Sequence, residues 1–303
     1  MTKRESLHVE RRQKIWQHVH RELIKHAKSD SRFHFDFLSF TPDFHDSSLA
    51  VDCLIQLPAY QNATTILVTS ENSLEELRYR ALKDGKTLMV GTYRLRRGFV
   101  LLNPAVIEEK ELRMASWLDG MEKPGIGRSL SLAQMQDEHI RVDLCVFGGL
   151  AFNKKGVVVW EGQGLFEVQW ALLNEMKLLQ QHVPVVAIAH DSQVVDEADL
   201  ELERIVPEKA GEVQCDFIVS PGATIEVKDP VRPTGGLDFE ALDPHALEQI
   251  PPLQELKGIK MMEQIMKTGK FGENNEKASD MPLSPDEQAG ISMVERIMKG
   301  LKP

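Results

Sequence analysis

Four groups of residues in this chain have types and spacings suited to chemistry. His190 and Asp191 directly follow the apolar run Val183-Pro-Val-Val-Ala-Ile-Ala189, with Ser192 and Gln193 next. An imidazole beside a carboxylate can donate to a phosphate or move a proton. The same pair also suits a plain turn in which Asp191 bonds its own backbone. Gly162 and Gly164 lie in Glu161-Gly-Gln-Gly164, between the apolar run ending at Trp160 and a helical pattern. Glycines there let the backbone approach a ligand, and a helix N-terminus favours an anion. The segment lacks the third glycine of a dinucleotide fingerprint and the Lys-Ser/Thr of a Walker loop, and a tight strand–helix turn would need the same glycines. Glu167, in the first helical turn, suits a divalent cation bridging phosphates, or simply the helix dipole. Arg94, Arg96 and Arg97 follow the apolar run that ends at Gly91. If that strand continues, Arg94 and Arg96 share a side and offer planar forks to carboxylate or phosphate; otherwise they form a solvated cluster. Arg78, on a helix, reads as a surface residue.

The elements that must position these groups alternate along the chain. Residues 9 to 27 predict a helix with Ile15, Trp16, Val19, Leu23 and Ile24 on one stripe. Residues 28 to 47 read as irregular. A second helix is expected over 47 to 57, with Leu49, Val51, Leu54 and Ile55 inward. A strand at 63–69 leads to Ser73-Leu-Glu-Glu76, which has the form of a capping box, and the helix it opens should stop near Gly85. Strands follow at 87–91, 142–148, 156–160, 184–189 and 215–219, with a helix at 165–180. Such alternation predicts a three-layer α/β domain with a mostly parallel sheet flanked by helices. In open sheets of this kind, ligands bind at the carboxyl ends of the strands, where the glycine pair and His190 both fall.

Composition narrows the function classes. The chain has 303 residues, 42% apolar and 27% charged, with net charge −10. That is ample material for a core, and the acidic balance argues against a nucleic-acid partner. Cys53, Cys145 and Cys215 sit in or beside apolar runs without metal-ligand spacing, so they read as buried hydrophobes in a reducing compartment. No run is long enough for a membrane helix, and the first residues lack an apolar signal core, so a cytoplasmic location is expected. The expected division is an α/β domain over 1–257 and an extension over 258–303. The extension holds two similar amphipathic pieces, 258–267 and 290–299, with Met and Ile on one face, separated by a polar linker over 268–290. These helices should dock, on the core, on a second copy of the chain or on a protein partner.

The ordered motifs resemble those of the 5-formyltetrahydrofolate cyclo-ligase (methenyltetrahydrofolate synthetase) family, in its divergent cyclo-ligase-like branch. The resemblance covers about residues 9 to 255. It rests on Arg12-Gln-Lys-Ile-Trp16, Arg78-Tyr-Arg-Ala-Leu-Lys-Asp-Gly-Lys86 and Tyr93-Arg-Leu-Arg-Arg-Gly-Phe99. It rests also on Asp143 through Gly156, His190-Asp-Ser-Gln-Val194 and Arg232-Pro-Thr-Gly-Gly-Leu-Asp238 through Ile250-Pro-Pro-Leu253. It implies a fold of the type shared with ribose-5-phosphate isomerase and CoA transferases. It implies ATP and Mg²⁺, which convert 5-formyltetrahydrofolate to 5,10-methenyltetrahydrofolate through a phosphorylated formyl group. On that basis Arg12, Gly162 and Gly164 would bind ATP and Glu167 would hold the metal. Arg94, Arg96 and Gln193 would meet a reduced folate, and His190 and Asp191 would be catalytic. The chain departs from the family pattern around the glycine loop. Trp160 stands at a glycine-like position, Glu161 at a basic one, Glu167 in place of Asp, and Gln169 where the divergent branch has an acid. Weak ATP binding is therefore expected, tightened roughly tenfold by Glu161→Lys. The alternative is a non-catalytic or differently specific binding protein on the same fold, with a thiamin-related role as one version.

Overall fold

The computed structural model describes residues 3–207, 212–233, 236–240, 242 and 244–268. The apolar runs form β1 (Thr65–Val68), β2 (Thr87–Gly91), β3 (Phe99–Leu102), β4 (Arg128–Leu130), β5 (Leu144–Gly148) and β6 (Ala151–Asn153). They continue as β7 (Val158–Trp160), β8 (Val185–Ile188), β9 (Val194–Val195), β10 (Phe217–Val219) and β11 (Thr224–Glu226). Eight strands make one sheet in the order β11-β10-β8-β5-β1-β2-β3-β4. Its centre, β10-β8-β5-β1-β2, is parallel throughout, and antiparallel strands finish both edges. A second sheet has the order β7-β6-β9.

The helices are α1 (Lys3–Leu23), α2 (Ser47–Leu54), α3 (Pro58–Asn62), α4 (Glu75–Lys83), α5 (Leu112–Ala115), α6 (Leu118–Met121), α7 (Leu132–Asp137), α8 (Phe166–Glu175), α9 (Pro244–Gln249) and α10 (Pro251–Thr268). Helices on both faces explain why β5 and β8 are apolar without alternation: every residue of both is buried. On one face Leu54 of α2 and Leu77 and Ala81 of α4 join Ile66, Val68, Leu88 and Val146. On the other, Phe166 of α8 stacks on Phe147 of β5 with centroids 4.1 Å apart. Burying one such ring contributes about 1.5–3 kcal/mol. A second core joins Ile15, Val19 and Leu23 of α1 to Leu150, Val157, Val159 and Val195 around the small sheet.

Several local expectations are corrected. Ile24 lies beyond the end of α1 and is 41% exposed, and Leu49 is 48% exposed. The helix expected over 47–57 is broken, because Pro58 opens α3 and holds Leu57 extended. The capping box does not form. Ser73 sits in a 3-10 turn before α4, and Glu76 instead accepts from Arg80 (3.0 Å) and Arg113 (2.7 Å). Gly85 does close α4: at φ +78° its N–H reaches Leu82 and the Lys86 N–H reaches Ala81. The strand expected at 156–160 belongs to the small sheet, and α8 ends at Glu175, short of 180. Cys145 and Cys215 are buried free thiols, and Cys53 is a partly buried one. Among the described residues no helix is long and apolar enough to cross a membrane.

The chain divides into units Met1–Gly258 and Ile259–Pro303. The helix expected to begin at Gly258 is the second half of α10, which runs unbroken through that glycine. Met261, Met262 and Met266 are exposed. The expected linker beyond residue 268 and the helix at 290–299 lie outside the described residues.

Candidate functional site

Because β1, β2, β5, β8 and β10 are parallel, the segments that follow them share one sheet edge. These are Thr69–Glu71, Thr92–Arg94, Gly149, His190–Gln193 and Ser220. The glycine loop after β7 packs against this edge from the small sheet. At Gly162 (φ +88°) an added methyl would strike Thr41, and at Gly164 it would strike the Glu71 carboxyl. Both glycines are therefore accounted for by the protein's own side chains lying against the loop.

The start of α8 is occupied in the same way. Glu161 turns back and accepts the Phe166 N–H, so a carboxyl of the chain fills the place of an anion at this helix N-terminus. Burial, with the nearby Glu167 and Glu71 charges, raises the Glu161 carboxyl well above the usual carboxylate range. Trp160 stacks on Trp16 of α1 (5.9 Å, 13°). Arg12 donates to the carbonyls of Val158 (2.9 Å) and Val159 (3.3 Å) and pairs with Glu212. Glu167 accepts the Val213 N–H at 3.1 Å. Among the described residues no group of three or more His, Cys, Asp or Glu side chains is arranged to hold a metal. This loop offers a nucleoside triphosphate no open anion position: Glu161 fills it and Arg12 is engaged.

The turn after β1 carries a carboxyl with unused hydrogen-bonding capacity. Glu71 is 4% exposed. Its Oε2 accepts from the Thr69 hydroxyl, and its Oε1 has no partner among the described residues. Burial pushes its carboxyl up to about 7. Near neutral pH it is therefore both a donor and an acceptor. A neck beside it is lined by Phe33, Thr41, Tyr93, Gln163 and Gly164 and holds only about 20 Å³. A cleft of 640 Å³ shares Arg32, Asn72 and Leu118 with this neck. That volume falls in the range of ligand pockets.

Arg78, expected on the surface, is fully buried in α4. It donates to the carbonyls of Ser116 (2.8 Å), Thr69 (3.0 Å) and Glu71 (3.2 Å), and so ties the Glu71 turn to α5. Gln169, also fully buried, donates to the Gly164 carbonyl at 2.7 Å and fills the space left by Gly91. It fixes the loop against β2 without a charge.

His190 and Asp191 point into different surroundings. His190 Nδ1 accepts the Ser192 N–H (3.1 Å), and its ring stacks on His26 at 4.2 Å. Burial first, and His26 next, lower its proton affinity. Asp191 accepts from the Ser220 hydroxyl (2.5 Å) and the Gly222 N–H (3.2 Å). That is a structural clasp between two strand ends, not an acid–base pair with His190. Gln193 is committed too, donating to Gly149 (2.7 Å) and Leu150 (3.2 Å) and accepting from the His190 N–H (2.7 Å). Neither the neck nor the cleft is lined by His190. The strand bearing the arginines stops at Gly91, and Arg94 and Leu95 both turn left-handed (φ 53°), so alternation fails there. Arg94 lies over the Tyr93 ring (5.3 Å), and Arg96 is exposed.

A mostly parallel α/β sheet with a buried carboxyl and a cleft at its carboxyl edge is the class of protein described so far. The sequence model of the 5-formyltetrahydrofolate cyclo-ligase family matches residues 3–221. The chain belongs to that family. It is 26% identical over 250 residues to a methenyltetrahydrofolate synthase domain-containing protein of Danio rerio, covering 82% of this chain and 61% of that one. It is 29% identical over 221 residues to the protein of the same description from Homo sapiens, covering 71% and 54%. The chain thus spans less than two thirds of these relatives. The solved structure of Aquifex aeolicus 5,10-methenyltetrahydrofolate synthetase aligns with a TM-score of 0.39 and 18% identity, over 77% of this chain and 98% of that one.

Proposed function

We propose that this protein binds a reduced folate of the 5-formyltetrahydrofolate class at the carboxyl edge of its sheet. We propose further that its glycine loop does not couple that binding to ATP. Glu71 carries the reading: a buried carboxyl with one unpartnered oxygen, held near 7, beside the neck. Ionised, it accepts from a ring N–H; protonated, it donates to a formyl oxygen. Tyr93 and Phe33, ring centroids 6.1 Å apart, give the neck an aromatic wall. Family membership supports the ligand class, and the Glu161 cap on α8 supports the absence of nucleotide coupling.

The test is calorimetry of 5-formyltetrahydrofolate with and without MgATP, followed by an assay for 5,10-methenyltetrahydrofolate. The expectation is folate binding that MgATP does not alter, at least tenfold weaker in Glu71→Leu, and no ATP-dependent product. Product formed with ATP hydrolysis would refute the claim about the loop. Lack of folate binding would refute the ligand class.

A further inference from the structure

The 640 Å³ cleft is lined by a buried cation that no ion pair engages among the described residues. Four cations line it. Lys28 pairs with Asp43 (2.6 Å), Arg32 with Asp30 (3.2 Å) and Arg113 with Glu76 (2.7 Å). The fourth, Arg78, forms no ion pair among the described residues. Three of its guanidinium bonds go to carbonyl oxygens, and Nη2 has no partner there. Glu75 and Glu71 act on it only through space. Burial lowers its proton affinity to about 10, so it stays charged at neutral pH. A fully buried guanidinium whose nearest acids act only through space gains from an anion that bonds it directly.

We infer that Arg78 is an anion subsite in this cleft and that it receives the carboxylate of a small ligand. Nη2, covered by the cleft wall, supplies the direct bond when that wall shifts to admit the ligand. A planar group between Arg78 and the rim would lie against Trp117, which lines the same cleft and is 46% exposed. Asp46, Glu75 and Asp119 also line it and are absent from the three ion pairs above. These acids disfavour a second anionic group and favour hydrogen-bond donors or positive charge at the ligand's other end. The ligand class is thus a monocarboxylate with amino groups distal to the acid. The assignment rests on the cleft and Arg78, and it holds whether or not the ligand is a folate.

The test uses the full chain with 4-aminobenzoate and its neutral amide as probes. The acid should bind at least tenfold more tightly than the amide, and bromide should compete with it. A crystal soaked in bromide should show an anomalous peak within hydrogen-bond distance of Nη2. Arg78→Lys keeps the charge but loses the fork, and should weaken the acid while leaving the amide unchanged. These wild-type measurements stand even if the variant fails to fold. Equal binding of acid and amide, or only a water at Nη2 in the bromide soak, would overturn the inference. Acid-selective binding without 5-formyltetrahydrofolate binding would uphold Arg78 and refute the folate reading. Folate binding without acid selectivity would do the reverse.

Discussion

Replacing Glu71 by Gln should make the variant's stability relative to wild type depend on pH, with a predictable sign and window. In the folded chain the Glu71 carboxyl is raised from 4.5 to about 7 by burial. A raised carboxyl favours folding fully below the unfolded value near 4.5, and this contribution is lost as pH rises through the folded value near 7. At about 1.36 kcal/mol per pH unit the loss amounts to about 3 kcal/mol. Gln cannot ionise, so the variant escapes it. Its amide can still accept from Thr69, but its NH₂ group lies where Oε1 already lacks a partner, which adds a roughly pH-independent cost of about 1–3 kcal/mol. Urea denaturation of both proteins at matched pH values from 4.5 to 8 measures the difference, and other titrating groups cancel in it. The variant should gain on wild type by about 3 kcal/mol across that range, most steeply between pH 5 and 7. A difference that stays flat within about 0.5 kcal/mol would refute the claim that this carboxyl is buried without a full set of partners.

Three further outcomes follow from the same contacts. Glu161→Lys removes the α8 cap and puts a cation at the positive end of the helix, so unfolding free energy should drop by about 1–2 kcal/mol. MgATP affinity should not tighten tenfold, as calorimetry can check, because Arg12 remains engaged by Val158, Val159 and Glu212. Gly164→Ala forces a methyl into Glu71 and should cost about 1–3 kcal/mol; in a double-mutant cycle Glu71→Ala should recover at least about 1 kcal/mol of it. His190, its proton affinity lowered mainly by burial and by His26, stabilises the fold above pH 6.5, and that stabilisation fades as pH falls through its depressed value. His190→Gln should therefore lose less stability than wild type between pH 7.5 and 5 in the same denaturation experiment.

The parallel centre of the sheet was legible because β1, β2, β5 and β8 are continuous apolar runs, which only a two-sided sheet explains. The edge strands β3, β4 and β11 were missed, being short and set by tertiary pairing rather than by a local pattern. Glu71 carried the same signal that singled out His190, a polar residue just past an apolar strand. Arg78 also left a trace. Leu74, Leu77, Arg78, Ala81 and Leu82 fall on one helical stripe, so position 78 is an interior position occupied by a cation. A charge in a core stripe is expensive and therefore informative, more so than the exposed Arg96 or the strand-end position of Arg94. The glycine pair is ambiguous for a related reason. A glycine shows only that something lies close to the backbone, and here that something is Thr41 and Glu71. Glycines that can cradle a phosphate serve here to admit an internal hydroxyl at Gly162 and an internal carboxyl at Gly164. Glu161 marks the difference in the sequence itself, because an acid before the loop can cap the helix that a phosphate would otherwise meet.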